Sequence, residues 1–332
     1  MAGLHELVLE LTDSCPLHCA HCSSESGPHR SSQLPDGVCL RLLNEAHALG
    51  ASQVSFGGGE PALSPSFERM VARTLSLGMN AEVFTSGVLP CSDGISPWPD
   101  DLVGRLSNLK QLKVIFSIHG PDAATHDAIT GVHGSFACMM QSLDLCSRAG
   151  LRVEMNFVPL RPNAASFCNV VRLAHRHHVG RISILRFVPQ GRGQKNRQEL
   201  ELSAEEEDAF VVQVLSLRRT SPVAIRTGSP FNGIVPGNSV PCRAGSEKLV
   251  VQADGNVLPC EVFKHRDTRD WGLSVYGGSL EDILGSKQLR RLRSTIERTD
   301  CHACPVHSAL RSHHRREAAD GAEHVSQTAV PV

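Results

Sequence analysis

The sequence predicts an α/β fold: a partial barrel of six β/α units, followed by a small domain made of a β-hairpin and a helix. Short runs rich in Val, Ile, Leu and Phe alternate with helix-length amphipathic runs through the first two-thirds of the chain. Regular repetition of such units favours a parallel barrel or partial barrel over an open sheet. After the acidic stretch 203–219 the pattern changes to Pro, Gly, Ser and Asn, then to a hairpin signal and one last helix.

The strands are expected at residues 6–11, 53–56, 81–85, 112–118, 152–158 and 181–187. Their near-continuous apolar composition suits strands buried on both faces. Between them, helical periodicity covers residues 36–49, with Asp36 as its cap, then 64–77, 100–106, 135–149 and 164–179. Gly50, Gly78, Gly150 and Gly180 follow four of these helices, where a left-handed exit suits glycine. Further on, residues 248–252 and 257–258 flank Ala253-Asp254-Gly255-Asn256, and an Asp-Gly pair between β-formers is a hairpin signal. A helix over 280–297 and the group Cys301-His302-Ala303-Cys304 complete the pattern. The expected division is a barrel over 1–220, a small domain over 221–308 and a disordered tail over 309–332.

The 332 residues carry a formal net charge of -1, which gives no argument for nucleic acid or an anionic membrane as partner. The N-terminal MAGLHELVLELTDSC lacks the basic and apolar regions of a signal peptide, and no apolar run is long enough to span a bilayer. Twelve cysteines in such a chain are expected as reduced thiols in the cytoplasm, which favours metal binding over disulfides.

Cys15, Cys19 and Cys22 stand in C-x3-C-x2-C spacing directly after the first strand. In a barrel this is the end where the chemistry sits. Iron–sulfur clusters are normally held by four thiolates, so three would leave one iron open. A structural zinc site completed by His18 or His21 satisfies the same spacing, and both readings stand on spacing alone. The second strand ends in Phe56-Gly57-Gly58-Gly59-Glu60-Pro61. Consecutive glycines allow a ligand close to the backbone, and the Glu60 carboxylate with adjacent carbonyls can hold an ammonium group. A glycine triplet is also an ordinary turn, but no Gly-x-x-x-x-Gly-Lys pattern makes this a phosphate loop.

C-x3-C-x2-C on the first βα loop, followed by Gly-Gly-Glu-Pro after the second strand, resembles the radical S-adenosylmethionine (SAM) superfamily, over residues 4–308. The resemblance implies a [4Fe–4S] cluster on Cys15, Cys19 and Cys22. It further implies that the SAM amine and carboxylate chelate the fourth iron, with Gly58, Gly59 and Glu60 contacting the amine. Ser117-Ile118-His119-Gly120-Pro121, His126-Asp127 and Gly131-x-x-Gly134-Ser135-Phe136 are similar to the region after the fourth strand in peptide-modifying members, where Ser117 would touch the ribose. The string from Arg186 to Arg192 resembles the same members, with Arg186 placed for the SAM carboxylate. His119 stands where many members carry Asp and is expected on the surface or behind the site. The chemistry implied is reductive cleavage of SAM to methionine and a 5′-deoxyadenosyl radical, fed by a low-potential cluster and confined by a barrel mouth that excludes water.

Cys242, Cys260, Cys301 and Cys304 form a second set whose spacing is a metal signal, with a zinc ribbon as one reading. The set resembles the twitch domain, a shortened SPASM domain, which implies a second, auxiliary [4Fe–4S] cluster serving electron transfer. Cys39, Cys91, Cys138, Cys146 and Cys168 lack metal spacing, and all but Cys91 are expected as small residues in or beside helices.

The expected function is therefore that of a radical SAM enzyme acting on a ribosomal peptide, by crosslinking or epimerisation. Oxidation of a small alcohol or aminocyclitol is the second reading, and a non-enzymatic zinc-binding protein the third. An electron donor of the reductase, flavodoxin or ferredoxin type is implied. No residue is assigned as general base or hydrogen donor.

Overall fold

The computed structural model describes residues 3–228, 242–264 and 272–296. Cys301, Cys304 and the tail 309–332 lie outside the described residues. The strands are β1 (Glu6–Thr12), β2 (Gln53–Gly58), β3 (Asn80–Thr85), β4 (Val88–Cys91), β5 (Gly94–Pro97), β6 (Leu112–Ile118), β7 (Arg152–Phe157), β8 (Arg181–Ile184), β9 (Ala224–Thr227), β10 (Lys248–Val251) and β11 (Val257–Leu258). The helices are α1 (Asp36–Ala48), α2 (Phe67–Ser76), α3 (Asp100–Ser107), α4 (Ala123–Thr130), α5 (Ser135–Arg148), α6 (Phe167–Arg176), α7 (Arg192–Lys195), α8 (Arg197–Leu200), α9 (Ala204–Thr220), α10 (Leu280–Leu284) and α11 (Lys287–Ile296).

One sheet runs β11-β10-β1-β2-β3-β6-β7-β8-β9, parallel throughout except for the β10–β11 hairpin. The six expected strands form its centre. The expected 181–187 strand stops at Ile184, because the chain then turns beneath the first cysteine loop. β9 lies beyond position 220, and β10 pairs with β1 from Glu6↔Lys248 to Leu9↔Val251. The C-terminal hairpin thus extends the barrel sheet, with the Asp-Gly turn where the sequence places it.

Strand alternation separates two environments. Leu7, Leu9, Leu11, Val54, Phe56, Val83, Phe116, Phe157 and Ile184 share the main core with Leu42, Met70 and Leu143 of the helices. The opposite face is largely polar. Ser55 donates to Glu6 (2.8 Å), while Lys113 pairs with Glu82 (2.6 Å) and Glu154 (3.5 Å). The strands are buried on both faces as expected, and the inner face adds Val8 and Val250 to these polar groups, which offset the cost of burial by pairing across strands.

Other differences have local causes. The β4–β5 hairpin was not expected, although Asp93-Gly94 is its turn signal. The helix expected over 280–297 is two helices: Gly285 caps the first, and Ser286 Oγ accepts from Leu289 N–H in the second. Gly50, Gly78 and Gly150 take positive φ, but after α6 His178 (φ 57°) takes it in place of Gly180. No helix among the described residues is long and apolar enough to cross a membrane.

Candidate functional site

The β1–α1 loop carrying Cys15, Cys19 and Cys22 is fixed almost entirely through its backbone. At its base, Asp13 N–H donates to Ser32 O (3.1 Å), and Asp13 Oδ1 accepts from Ser32 N–H (2.7 Å). The end of β2 supplies two more bonds, Gly59 N–H to Thr12 O (2.7 Å) and Glu60 N–H to Ser14 O (2.9 Å). A Cβ on Gly58 would lie 2.4 Å from Thr12 O, and one on Gly59 would lie 2.0 Å from Ser14 O. These two glycines therefore let the cysteine loop, rather than a ligand alone, approach the strand end. At Gly57 a Cβ would meet nothing within 4 Å.

The far side of the loop rests on the end of α4, where His18 N–H donates to Thr130 O (2.9 Å) and Ala20 N–H to Ile129 O (2.8 Å). The segment after β8 closes the third side. Arg192 donates from Nε to Cys19 O (2.8 Å), from Nη2 to Ser26 O (2.7 Å) and from its backbone N–H to Cys22 O (3.1 Å). Asn196 Nδ2 donates to Ala20 O (3.0 Å). Gly191, at φ 57°, passes so close that a Cβ would lie 2.8 Å from Cys22 O. Nothing local in the sequence marks this role of Arg192, whose partner Cys19 is 173 positions away. A planar five-donor group is suited to gathering several carbonyls at once.

With the backbone bonds satisfied elsewhere, the three half-buried thiols are left for a ligand. Burial pushes the Cys15 thiol far up, and burial with the neighbouring Cys22 pushes Cys19 up to about 12. Iron would invert that preference, because a bound cation deprotonates a coordinating thiol. Among the described residues no group of three His, Cys, Asp or Glu side chains converges on a point where one metal ion would be held. Three thiols on one loop whose backbone groups are already bonded are a donor set that suits an iron–sulfur cluster with one iron left open.

Glu60 is fully buried. Its Oε1 accepts from Thr85 Oγ1 (2.7 Å), and its Oε2 from Ser86 N–H (2.9 Å) and Ser86 Oγ (2.6 Å). Burial pushes its carboxyl up, against these donors, which favour the carboxylate. Ser117 is half-buried near the end of β6, beside Asn156 of β7. Arg186 follows β8, and its Nη1 is enclosed without a hydrogen-bond partner, as is Gln190 Oε1. An enclosed guanidinium nitrogen lacking a protein acceptor fits an anionic ligand group.

His119 is buried, not on the surface. Its ring meets His21 edge-on at 4.6 Å and His126 at 5.1 Å, and its N–H donates to His126 Nδ1 (3.2 Å). Burial pushes His21 and His126 down to about 4 and holds His119 well below its ordinary value, so all three imidazoles are neutral at pH 7. His21 is itself part of the cysteine loop, so His119 packs against that loop with His126 on its other side.

Of the second cysteine set, Cys242 and Cys260 are described. Gly245 N–H donates to Pro259 O (3.1 Å), which draws the two cysteine-bearing segments together. Burial and the neighbouring Glu261, 3.3 Å from its sulfur, push the Cys260 thiol up.

A family model described as the radical SAM superfamily matches residues 9–174, and one described as the iron–sulfur cluster-binding SPASM domain matches 242–305. The chain is 27% identical over 314 residues to mycofactocin maturase MftC of Mycobacterium tuberculosis, covering 92% of this chain and 76% of that protein. It is 28% identical over 304 residues to the PqqA peptide cyclase of Methylocella silvestris, covering 90% and 79%. Among solved structures, Streptococcus suis SuiB bound to its precursor peptide SuiA superposes with a TM-score of 0.70 at 16% identity, over 89% of this chain and 67% of that one.

Proposed function

This chain belongs to the radical SAM superfamily, and we propose that it modifies a ribosomally made peptide, by crosslinking or epimerisation, at the mouth of its barrel. The observation that carries the reading is the joining of the three-cysteine loop to the glycine turn of β2, through Gly59 N–H to Thr12 O and Glu60 N–H to Ser14 O. Similarity to a mycofactocin maturase and a PqqA peptide cyclase over about nine-tenths of the chain supports the peptide as substrate class.

The enzyme uses [4Fe–4S] clusters and SAM. A cluster held by Cys15, Cys19 and Cys22 would supply the low-potential electron for reductive cleavage of SAM to methionine and a 5′-deoxyadenosyl radical, the species that would take hydrogen from the substrate. On this reading Cys15, Cys19 and Cys22 hold the open cluster, and Arg192 with Asn196 fixes the loop without occupying its thiols. Gly58, Gly59 and Glu60 receive the SAM amine, the glycines through their carbonyls. The Glu60 carboxylate, tied to Thr85 and Ser86, contributes charge and braces the turn against β3. Ser117 faces the ribose, and the unpartnered Nη1 of Arg186 takes the SAM carboxylate. Cys242, Cys260, Cys301 and Cys304 hold the auxiliary cluster in a domain over 221–308. A reductase, flavodoxin or ferredoxin supplies electrons, in the reducing cytoplasm where cysteines stay as thiols available to a cluster.

The test is anaerobic reconstitution, followed by reaction with SAM, a reductant and each short peptide found to be encoded beside this gene. The expected products are 5′-deoxyadenosine and a peptide either two hydrogens lighter or carrying solvent deuterium at one α-carbon. Iron-loaded protein that forms 5′-deoxyadenosine but leaves every such peptide unchanged would sink the peptide reading. Zinc in place of iron, with no SAM cleavage, would sink the whole assignment.

A further inference from the structure

Lys264 belongs to the C-terminal region, four positions after Cys260, yet its ammonium ends at the top of β1. Nζ lies 2.5 Å from Glu10 Oε1 and donates to Ser24 Oγ at 2.7 Å, two residues after Cys22. The pair is buried, at 11% side-chain exposure for Lys264 and 7% for Glu10. Its surroundings are apolar, since Val8, Val250, Leu258, Val262 and Phe263 cluster about this junction. A hydrophobic pair would join two segments here without desolvating two charges, so stability alone does not account for this one.

The charges around it are ordered. From the lower end of β1 they run Glu6, Lys248, Glu261, Lys264 and Glu10, with Lys248 3.3 Å from Glu6 and 2.8 Å from Glu261. Each cation stands between two carboxylates, and Lys264 is also within electrostatic reach of Cys22. Removing one member of the Glu10–Lys264 pair therefore leaves a buried charge of known sign beside the cysteine loop.

We propose that Lys264 is a positioning residue that the C-terminal region lends to the first cysteine site, and that its pairing with Glu10 keeps either buried charge from biasing the electrostatic field there. The proposal rests on the reading of Cys15, Cys19 and Cys22 as cluster ligands. Reduction adds a negative charge to a cluster, so a nearby cation raises its potential and a nearby anion lowers it. The pair holds the two influences in balance and makes that balance depend on the docked C-terminal region.

The experiment is an EPR-monitored redox titration of the reconstituted full-length protein, following the signal that changes when SAM is added. Lys264→Met should lower the potential and Glu10→Gln should raise it. Each shift should be about tenfold in the oxidised-to-reduced ratio at fixed potential, which is about 59 mV for one electron. The double variant should return close to wild type. Shifts of the same sign, or none, would overturn the proposal.

A second arm uses iron-free protein and reads alkylation of Cys22 by iodoacetamide with peptide mass spectrometry. Ser24→Ala and the charge-neutral double variant should both react several-fold faster, because the bond between Lys264 and Ser24 is gone while the net charge beside Cys22 is kept; an unchanged rate overturns the positioning role. If wild type gives no SAM-responsive signal, the functional reading fails, and this arm decides the positioning role by itself. Should a single variant fail to fold, the charge-neutral double variant and Ser24→Ala carry the alkylation test with the same expected result.

Discussion

The two cysteine-bearing regions are held by different kinds of bond. The loop of Cys15, Cys19 and Cys22 is gripped by its main chain: the carbonyls of Cys19, Ala20, Cys22 and Ser26 all accept from Arg192 or Asn196, α4 accepts from its amides, and Gly59 and Glu60 after β2 donate to the carbonyls of Thr12 and Ser14. The segment of Cys260 is gripped by side chains, through Lys248 with Glu6 and Glu261, and Lys264 with Glu10. Backbone bonds fix a loop while leaving every side chain available, which suits a site that must accept a cosubstrate. Ion pairs carry their own field, which suits a region whose task is to move charge.

Cysteine replacement should separate the regions most sharply. Changing Cys15, Cys19 and Cys22 to Ala should bring 5′-deoxyadenosine below detection, whereas Cys260→Ala should leave SAM cleavage measurable and stop product formation. Single-turnover assays with quantified iron check both, and equal loss of SAM cleavage in the two variants would erase the proposed division of labour.

Arg192 should show the next largest effect. Arg192→Met leaves the Ser26 carbonyl without its donor, while the Cys19 carbonyl keeps Cys22 N–H (3.1 Å), and a buried unsatisfied group costs about 1–3 kcal/mol. Denaturant unfolding of the iron-free protein should register a loss of about 1–3 kcal/mol, with a matching fall in iron retained. Lys cannot present two forked donors, so Arg192→Lys should recover less than half of it.

Glycine substitutions test the same grip from the β2 side. Gly59→Ala forces its Cβ against Ser14 O, a backbone atom that cannot swing away, and should reduce both stability and iron content. Gly57→Ala meets open space and should behave as wild type.

A pH titration separates the iron-free from the iron-loaded protein. Burial raises the thiols of Cys15 and Cys19 above their ordinary value of 9.0, the latter to about 12. The folded iron-free chain then binds more protons than the unfolded chain above pH 9, so the stability these groups contribute is full below about pH 9 and is lost as pH rises toward 12. Ligated thiolates have no proton to lose, so the iron-loaded protein should lack this alkaline decline, and iron uptake should release protons. Thermal melts from pH 7 to 10.5 would show the two curves diverging.

Much of this was legible from residue patterns, for physical reasons. The apolar runs at β2, β3, β6 and β7 marked buried strands, and the cysteine and Gly-Gly-Glu-Pro spacings marked the site. Bonds between distant segments left no local trace. Arg192 lies 173 positions from the carbonyl of Cys19, and Lys264 lies 240 from Ser24, so neither pairing has a periodicity to betray it. His119 was open to a surface placement because one histidine carries no signal of its burial. The parallel pairing of β10 with β1 was hidden for the same reason as the long-range bonds.

Two lysines bring the comparison to its finest point, since both end on the same stretch of the cysteine loop. Lys195 pairs with Glu25 at 2.6 Å and Lys264 with Glu10 at 2.5 Å, but their side chains are 71% and 11% exposed. Water screens the first pair, and exposed pairs contribute about 0–1 kcal/mol. Lys195→Ala should therefore move stability by less than about 1 kcal/mol and leave the cluster potential where it was. Lys264→Met removes a charge that water does not screen and should shift that potential. If both substitutions shifted it equally, proximity rather than burial would govern the field at this loop, and the contrast between the two regions would need another cause.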